Sequence, residues 1–376
     1  MSREKLEEFI LLKSNSYSFF EKALQQKVFP GAAIGIVQGE KDARQTFIET
    51  YGFTSYEDDK KEVSATTFFD LASLSKPLAT TLALLCLIKK ENISLTSRLA
   101  DIFKDREIAP DKKNITIREL LSHSAGFAAY RPYYEDLLLV APPLRNKKLL
   151  TMLMAEPLEY EAGEKSIYSD LGYMLLGLVV ERLSNKPLNI FVKEQVFAPL
   201  SLNSDIGYLT DLKYKKIDFA AAELCRVRQR ILCGEVSDEN CYALGGVAGH
   251  AGLFANINGV VKMAVLLLDQ LKGRASHPNY LSADLQQCAK RREIKAGTWA
   301  LGFDTPSPQG STGGKYLSGQ SIGHLGFTGT SFWIDPSRDL VMVLLSNRVH
   351  PSRDNQLIKD LRPKFHDLVI ESLDLL

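Results

Sequence analysis

Thr67-Phe68-Phe69-Asp70-Leu71-Ala72-Ser73-Leu74-Ser75-Lys76 runs from an aromatic, apolar segment into the apolar stretch Leu78 to Ile88. Residues 67–71 read as a short extended segment. The later stretch, rich in Leu and Ala, reads as a helix, so a strand-to-helix junction is expected at Ser73. Residues three apart on a helix share a face, so Ser73 and Lys76 can touch. A serine hydroxyl is a weak nucleophile until a base or cation comes within hydrogen-bond reach. A helix N-terminus adds partial positive charge and free N–H groups, which favour a developing anion. A solvated helix start would look the same over four residues, so the neighbouring sequence has to decide.

Outward from this junction the chain divides into three stretches. Residues 3–27 form an amphipathic pattern with Leu6, Phe9, Ile10, Phe19, Phe20 and Leu24 as its apolar stripe, ended by Pro30-Gly31. Ala32–Val37 and Gln45–Tyr51 read as strands joined by a polar turn. Helical patterns follow at Leu78–Lys90, Ile117–Ser122, Leu144–Ala155, Asp170–Leu183 and Leu188–Val196. After a loop-rich stretch and the glycine cluster Gly245 to Gly252, Asn258–Leu271 is helical again. Ser331–Ile334 and Leu340–Ser346 return to strand, and 353–373 closes with a helix.

This order predicts an α+β fold. An antiparallel sheet is built from both chain ends, flanked by the N- and C-terminal helices, and carries an inserted, mainly helical domain. The expected boundaries are 1–74 and 240–376 for the α/β sandwich domain and 75–239 for the helical domain. A reactive group where the two meet would lie in a cleft.

Composition narrows the function classes. The 376 residues are 45% hydrophobic and 24% charged, with a formal net charge of +1. That is ordinary for a globular protein with a sizeable core. Arg226-Val227-Arg228-Gln229-Arg230 and Lys290-Arg291-Arg292 are short basic clusters, read as solvated surface, so no nucleic-acid partner is expected. The charged start Met1-Ser2-Arg3-Glu4-Lys5 lacks signal-peptide character, and no apolar run is long enough to span a bilayer. A cytoplasmic location and no membrane partner are therefore expected. Cys225, Cys233 and Cys241 do not have zinc-site spacing, and no metal or cofactor is implied.

Two further motifs accompany Ser73 and Lys76. Tyr168-Ser169-Asp170 sits at a loop-to-helix boundary, where Asp170 could serve as an N-cap. Gly323-His324-Leu325-Gly326-Phe327-Thr328-Gly329-Thr330 leads into a strand, and its glycines allow close backbone approach to a ligand. With the S-x-x-K spacing of Ser73 and Lys76, the chain resembles the penicillin-recognising serine hydrolases, in the class C β-lactamase-like branch with the family VIII carboxylesterases. Tyr168-Ser169-Asp170 is similar to that family's Tyr-x-Asn motif, and His324-Leu325-Gly326 to its Lys-Thr-Gly motif. Stretches around Leu120–Gly126, Gly246–Phe254 and Phe327–Pro336 match as well. The resemblance implies a β-lactamase/transpeptidase-like fold and an acyl-enzyme on Ser73. It also implies oxyanion donors at the N–H groups of Ser73 and Phe327, with Asp170, His324 and Gly326 in the substrate-binding region.

The departures bear on substrate and base. Asp170 replaces an amide, His324 a lysine and Leu325 a threonine. The family's lysine is associated with holding a substrate carboxylate; a histidine is largely neutral at pH 7. Carboxylate-bearing substrates are therefore less strongly implied. For Lys76 to act as a neutral base, its pKa must fall from about 10.4 to near 7, roughly 4 kcal/mol of differential stabilisation. Asp170 opposes that. Tyr168 is thus expected to be the base, with Lys76 as its cationic partner.

Three rival patterns are weighed against this one. Gly319-Gln320-Ser321-Ile322-Gly323 has the G-x-S-x-G form of α/β-hydrolases, but the preceding segment is a poor strand and no helical pattern follows. Gly314-Lys315 lacks the Ser/Thr and helix of a P-loop. His123 and His250 read as local hydrogen-bonding residues. The expected function is a serine hydrolase acting through Ser73 on small carboxylic esters. The alternatives are a β-lactamase or D-amino-acid peptidase and, from another class, a non-catalytic binding protein on the same fold. The partner is a small ester or amide; the oligomeric state is left open.

Overall fold

The computed structural model describes residues 3–90, 92–105, 107–212, 219–274, 282–290, 294 and 297–376. Arg291 and Arg292 of the second basic cluster lie outside the described residues. Helix α1, Arg3–Gln25, leads into β1, Gly31–Gln38, and β2, Gln45–Gly52. The short strand β3, Phe69–Asp70, precedes the Ser73 junction. Much later, β4 (Ile206–Tyr208) and β5 (Leu253–Ala255) complete a three-stranded sheet of order β3-β5-β4. The last strands are β6 (Ile322–Leu325), β7 (Ser331–Asp335) and β8 (Leu340–Ser346). They join the first two in an antiparallel sheet of order β2-β1-β8-β7-β6.

The two ends of the chain meet in the middle of the large sheet, where Ala33 faces Leu345 and Gly35 faces Val343. Period-two alternation assigns its faces. Ala32, Ile34, Ile36, Leu340, Met342 and Leu344 pack with Phe20 of α1 and with Phe365 and Val369 of the C-terminal helix, Ile358–Ser372. Ala33, Val37, Val341, Val343 and Leu345 belong to a second cluster with Val260, Val261 and Ala264 of the helix Ile257–Leu271. Both faces are thus covered, which is why β8 reads as an unbroken apolar run.

Two expectations are corrected here. Ile10, placed in the buried stripe of α1, is 60% exposed. The buried face is instead Leu12, Ser16, Phe20 and Ala23, spaced by three or four residues; the side chain of Leu6 lies outside the described residues. Second, Ile322–Leu325 is a strand in its own right, the sheet's edge next to β7. Its Gly and His hid it from any propensity argument.

The apolar stretch after Ser73 is a core helix. A 3₁₀ turn at Ala72–Leu74 passes into a π-helical segment at Lys76–Thr81 and then an α-helix at Leu82–Lys89. Such widened turns cluster at functional sites. Among the described residues, Ala72–Lys89 is the one helical run long and apolar enough to cross a membrane, and 83% of it is buried inside the protein.

Candidate active site

Strand β3 delivers Ser73 through a strained corner. Ala72 has φ +46°, in the left-handed region, and its N–H donates to Asp70 Oδ1 at 2.8 Å. The other oxygen of Asp70 accepts the Ser237 N–H at 2.7 Å. Burial pushes the Asp70 carboxyl up to about 7, against these two bonds. The corner is tied to the β6–β7 turn by two hydroxyls: Thr328 donates to Asp70 O (2.6 Å) and Thr330 to Leu71 O (3.1 Å). Neither the Ser73 N–H nor the Phe327 N–H has a backbone acceptor among the described residues. These cross-links fix the Ser73 corner to the turn that carries Phe327, and both residues line one cavity.

Gly326 makes that approach possible. A Cβ there would lie 2.0 Å from Thr330 Oγ1 and 2.6 Å from Leu71 O. The carbonyl is backbone and cannot swing away. Gly326→Ala is expected to cost about 1–3 kcal/mol of stability by overpacking. Because the turn must shift, kcat should fall by about 10²-fold or more, as when an oxyanion donor is lost. Urea denaturation beside steady-state kinetics checks both; wild-type kcat in a folded variant would contradict the assignment.

Around Ser73 Oγ the side chains converge. Lys76 Nζ donates to it at 2.9 Å, and the Tyr168 hydroxyl donates to it at 2.6 Å. Lys76 is fully buried; its ammonium also donates to His250 O at 3.1 Å and pairs with the Asp170 carboxylate, Oδ1 lying 2.7 Å away. Two of its N–H bonds thus meet acceptors in hydrogen-bond geometry, and the Asp170 carboxylate lies beside the ammonium as an ion pair. Burial by itself would lower the Lys76 pKa, but the Asp170 and Tyr168 oxygens outweigh it and hold the ammonium above its ordinary value. For Tyr168, burial pushes the phenol up, Lys76 opposes this, and Asp170 adds to the rise, so the pKa ends above its ordinary value. In the resting site Lys76 is a cation and Tyr168 a neutral phenol.

Ser169, not Asp170, caps the helix Asp170–Ser184: its side chain accepts the Gly172 N–H at 3.2 Å. This is a correction to the capping role offered for Asp170, whose carboxylate is free to face Lys76. Tyr168 is held by an aromatic cage that short motifs do not reveal. His123 packs 4.7 Å from its ring centre and Trp299 5.2 Å. His123 Nδ1 accepts the Ser169 N–H at 3.1 Å. Burial, Lys76 and His324 keep its pKa well below the usual histidine range, so it is a neutral spacer. His250 contributes its backbone carbonyl to Lys76. Gly249 before it lies so close to the helix Asp170–Ser184 that a Cβ would sit 2.0 Å from Tyr173 O.

The Ser73 hydroxyl faces a cavity of ≈ 250 Å³, walled by Tyr130, Tyr168, Asp238, Glu239, Phe327 and Arg353 among others. Phe327 is half exposed at its mouth. Arg353 is engaged with Glu223 and Glu239, at 2.6 Å each. His324 does not line this cavity. It is buried behind Tyr168 and Trp299, gives its Nδ1–H to Leu325 O (2.8 Å), and burial, with Lys76, drives its pKa down to about 3. Gly326 presents only backbone, its N–H bonding Thr330 O and its carbonyl accepting from Gly329 N–H and Arg362. Ser321 is buried, precedes an edge strand and has no helix after it, unlike a nucleophile elbow. Among the described residues no group of three or more His, Cys, Asp or Glu is placed to hold a metal ion.

Comparison with known proteins gives the family and the fold. The family model described as beta-lactamase matches residues 18–364. The chain is 31% identical over 357 residues to a Bacillus subtilis (strain 168) protein named N-acetylmuramyl-L-alanine amidase, covering 86% of this chain and 78% of the relative. It is 33% identical over 321 residues to an Escherichia coli (strain K12) protein provisionally named a D-alanyl-D-alanine carboxypeptidase, covering 79% and 73%. In fold it is similar to a beta-lactamase/D-alanine carboxypeptidase from Pseudomonas syringae (TM-score 0.73, 18% identity, 96% of this chain and 98% of the other). It is also similar to EstCE1, described as a hydrolase with promiscuous acyltransferase activity (TM-score 0.71, 20% identity, 93% and 98%).

Proposed function

This chain belongs to the beta-lactamase family of serine hydrolases, and from that premise we propose that it hydrolyses small carboxylic esters through an acyl-enzyme on Ser73. The observation that carries the proposal is the convergence of Lys76 Nζ and the Tyr168 hydroxyl on Ser73 Oγ, at 2.9 Å and 2.6 Å, on the wall of a cavity. Once Tyr168 has lost its proton to solvent, Ser73 Oγ bonds to the substrate carbonyl carbon and the serine proton passes to the Tyr168 phenolate. The resulting oxyanion lies against the N–H groups of Ser73 and Phe327. Tyr168 returns the proton to the leaving oxygen, and the alcohol departs. Water then attacks the acyl-serine with Tyr168 again as base, releasing the acid and restoring Ser73.

Two features support uncharged acyl substrates. The third motif supplies a neutral imidazole in place of a cation. Arg353, the pocket's guanidinium, already bonds Glu223 and Glu239. Amide hydrolysis is the second reading, favoured by the amidase and carboxypeptidase names of the relatives. A turnover screen of p-nitrophenyl esters beside nitrocefin and D-alanyl amides separates the two. Ester turnover alone supports the first, and D-alanyl amide or nitrocefin turnover without ester turnover replaces it.

The base assignment has its own test. Asp170 stabilises the charged form of Lys76 and holds its pKa above the ordinary value, while Lys76 in turn favours the Tyr168 phenolate, which supports Tyr168 as the base. The base must be deprotonated to act, so activity rises as pH climbs toward its pKa. Tyr168 is raised from 10.0, so kcat/KM is expected to climb without a plateau below that pH. Asp170 raises both Tyr168 and Lys76. Asp170→Asn should therefore move the rising limb to lower pH. Tyr168→Phe should abolish the limb; a limb that persists there assigns the proton to Lys76.

A further inference from the structure

Arg362, on the C-terminal helix, is buried behind the β6–β7 turn. Its Nη2 donates to Gly326 O at 2.6 Å and to Thr330 O at 2.8 Å. No carboxylate among the described residues pairs with it. Leaving a guanidinium buried and uncompensated is costly. Its hydrogen bonds do not explain it, because each carbonyl already has a backbone donor. Gly329 N–H reaches Gly326 O at 3.1 Å, and Gly326 N–H reaches Thr330 O at 2.7 Å.

What the cation touches is more telling. Gly326 C=O and Phe327 N–H are the two ends of one peptide group. A donor on the carbonyl end draws electron density toward that oxygen and makes the N–H at the other end a stronger donor, as in any hydrogen-bonded chain. Arg348 Nε also donates to Phe327 O, at 2.8 Å. The turn that carries the Phe327 N–H is thus bonded by two cations that do not line the cavity.

We infer that Arg362 is a positioning residue for the reaction: bonded to the Gly326 carbonyl, it polarises the Gly326–Phe327 peptide so that the Phe327 N–H holds the oxyanion more strongly. This rests on the acyl-enzyme reading above. Burial and Arg348 draw the Arg362 pKa down to about 9, which leaves it charged at neutral pH.

The test uses the full-length protein acylated with trans-cinnamoylimidazole carrying ¹³C at the carbonyl, read by isotope-edited infrared spectroscopy. In the wild type the acyl carbonyl stretch should lie below that of methyl cinnamate. In Arg362→Met it should move back toward the ester. The deacylation rate should fall roughly threefold to tenfold, a fraction of a full oxyanion donor's effect. The melting temperature should be equal or higher, since a buried charge has gone. Arg362→Lys restores a cation and should recover part of the shift; it carries the comparison alone if the methionine variant does not fold. A purely structural clamp predicts the reverse pattern, a lower melting temperature with the wild-type stretch and rate, and that result overturns the inference. If the wild type acquires no cinnamoyl group on Ser73, the acyl-enzyme reading itself fails and takes the role of Arg362 with it.

Discussion

Ser73→Ala abolishes turnover, with kcat/KM expected to drop by about 10⁴-fold or more, as for removal of the nucleophile in other serine hydrolases. The size follows from what remains. Without Oγ no acyl bond can form, and the two N–H donors and the cavity can only assist direct attack by water. The fold should barely respond. The hydroxyl makes two hydrogen bonds, to Lys76 and Tyr168, and each typically contributes about 1 kcal/mol net. Lys76 keeps its bonds to Asp170 and His250 in the variant. Steady-state kinetics with thermal melting checks both halves. Activity within tenfold of wild type would place the nucleophile elsewhere.

Lys76→Met is the second large effect, and it is double. The ammonium supplies the positive potential beside Ser73 Oγ and lowers the cost of a Tyr168 phenolate, so kcat should fall by about 10²- to 10⁴-fold, the span of general acid–base effects. Stability should fall by about 3 kcal/mol, because Asp170 is left as an unpaired, mostly buried carboxylate. That figure sits at the low end of the range for broken buried pairs because the Asp170 side chain keeps 19% exposure. Asp170→Asn in the same chain should return most of the stability and none of the rate. Recovery of both together would make Lys76 a structural residue only.

Much of this was legible in the chain, for physical reasons that differ by residue. Ser73 and Lys76 are three apart on a helix, so local geometry brings them together, and Tyr168 follows once its motif is recognised. The sheet was legible because Ile34, Ile36, Met342 and Leu344 alternate with residues of the opposite face. Ile10 misled because both sides of α1 carry apolar residues, and only the packed structure decides which side faces the sheet. Asp170 misled because Ser169 is an equally good cap one residue earlier. Trp299, Tyr130 and Arg353 gave no signal: each is brought to the site by tertiary packing and not by spacing along the chain. Arg362 was hidden for the same reason. It lies 36 residues from Gly326 and reaches it through the packing of the last helix on the large sheet.

The most direct measurement is peptide mapping by mass spectrometry after treatment with a fluorophosphonate. One adduct is predicted, on the peptide containing Ser73, and none in Ser73→Ala. An adduct on Ser321, or an unmodified protein, would contradict the assignment of Ser73 as nucleophile.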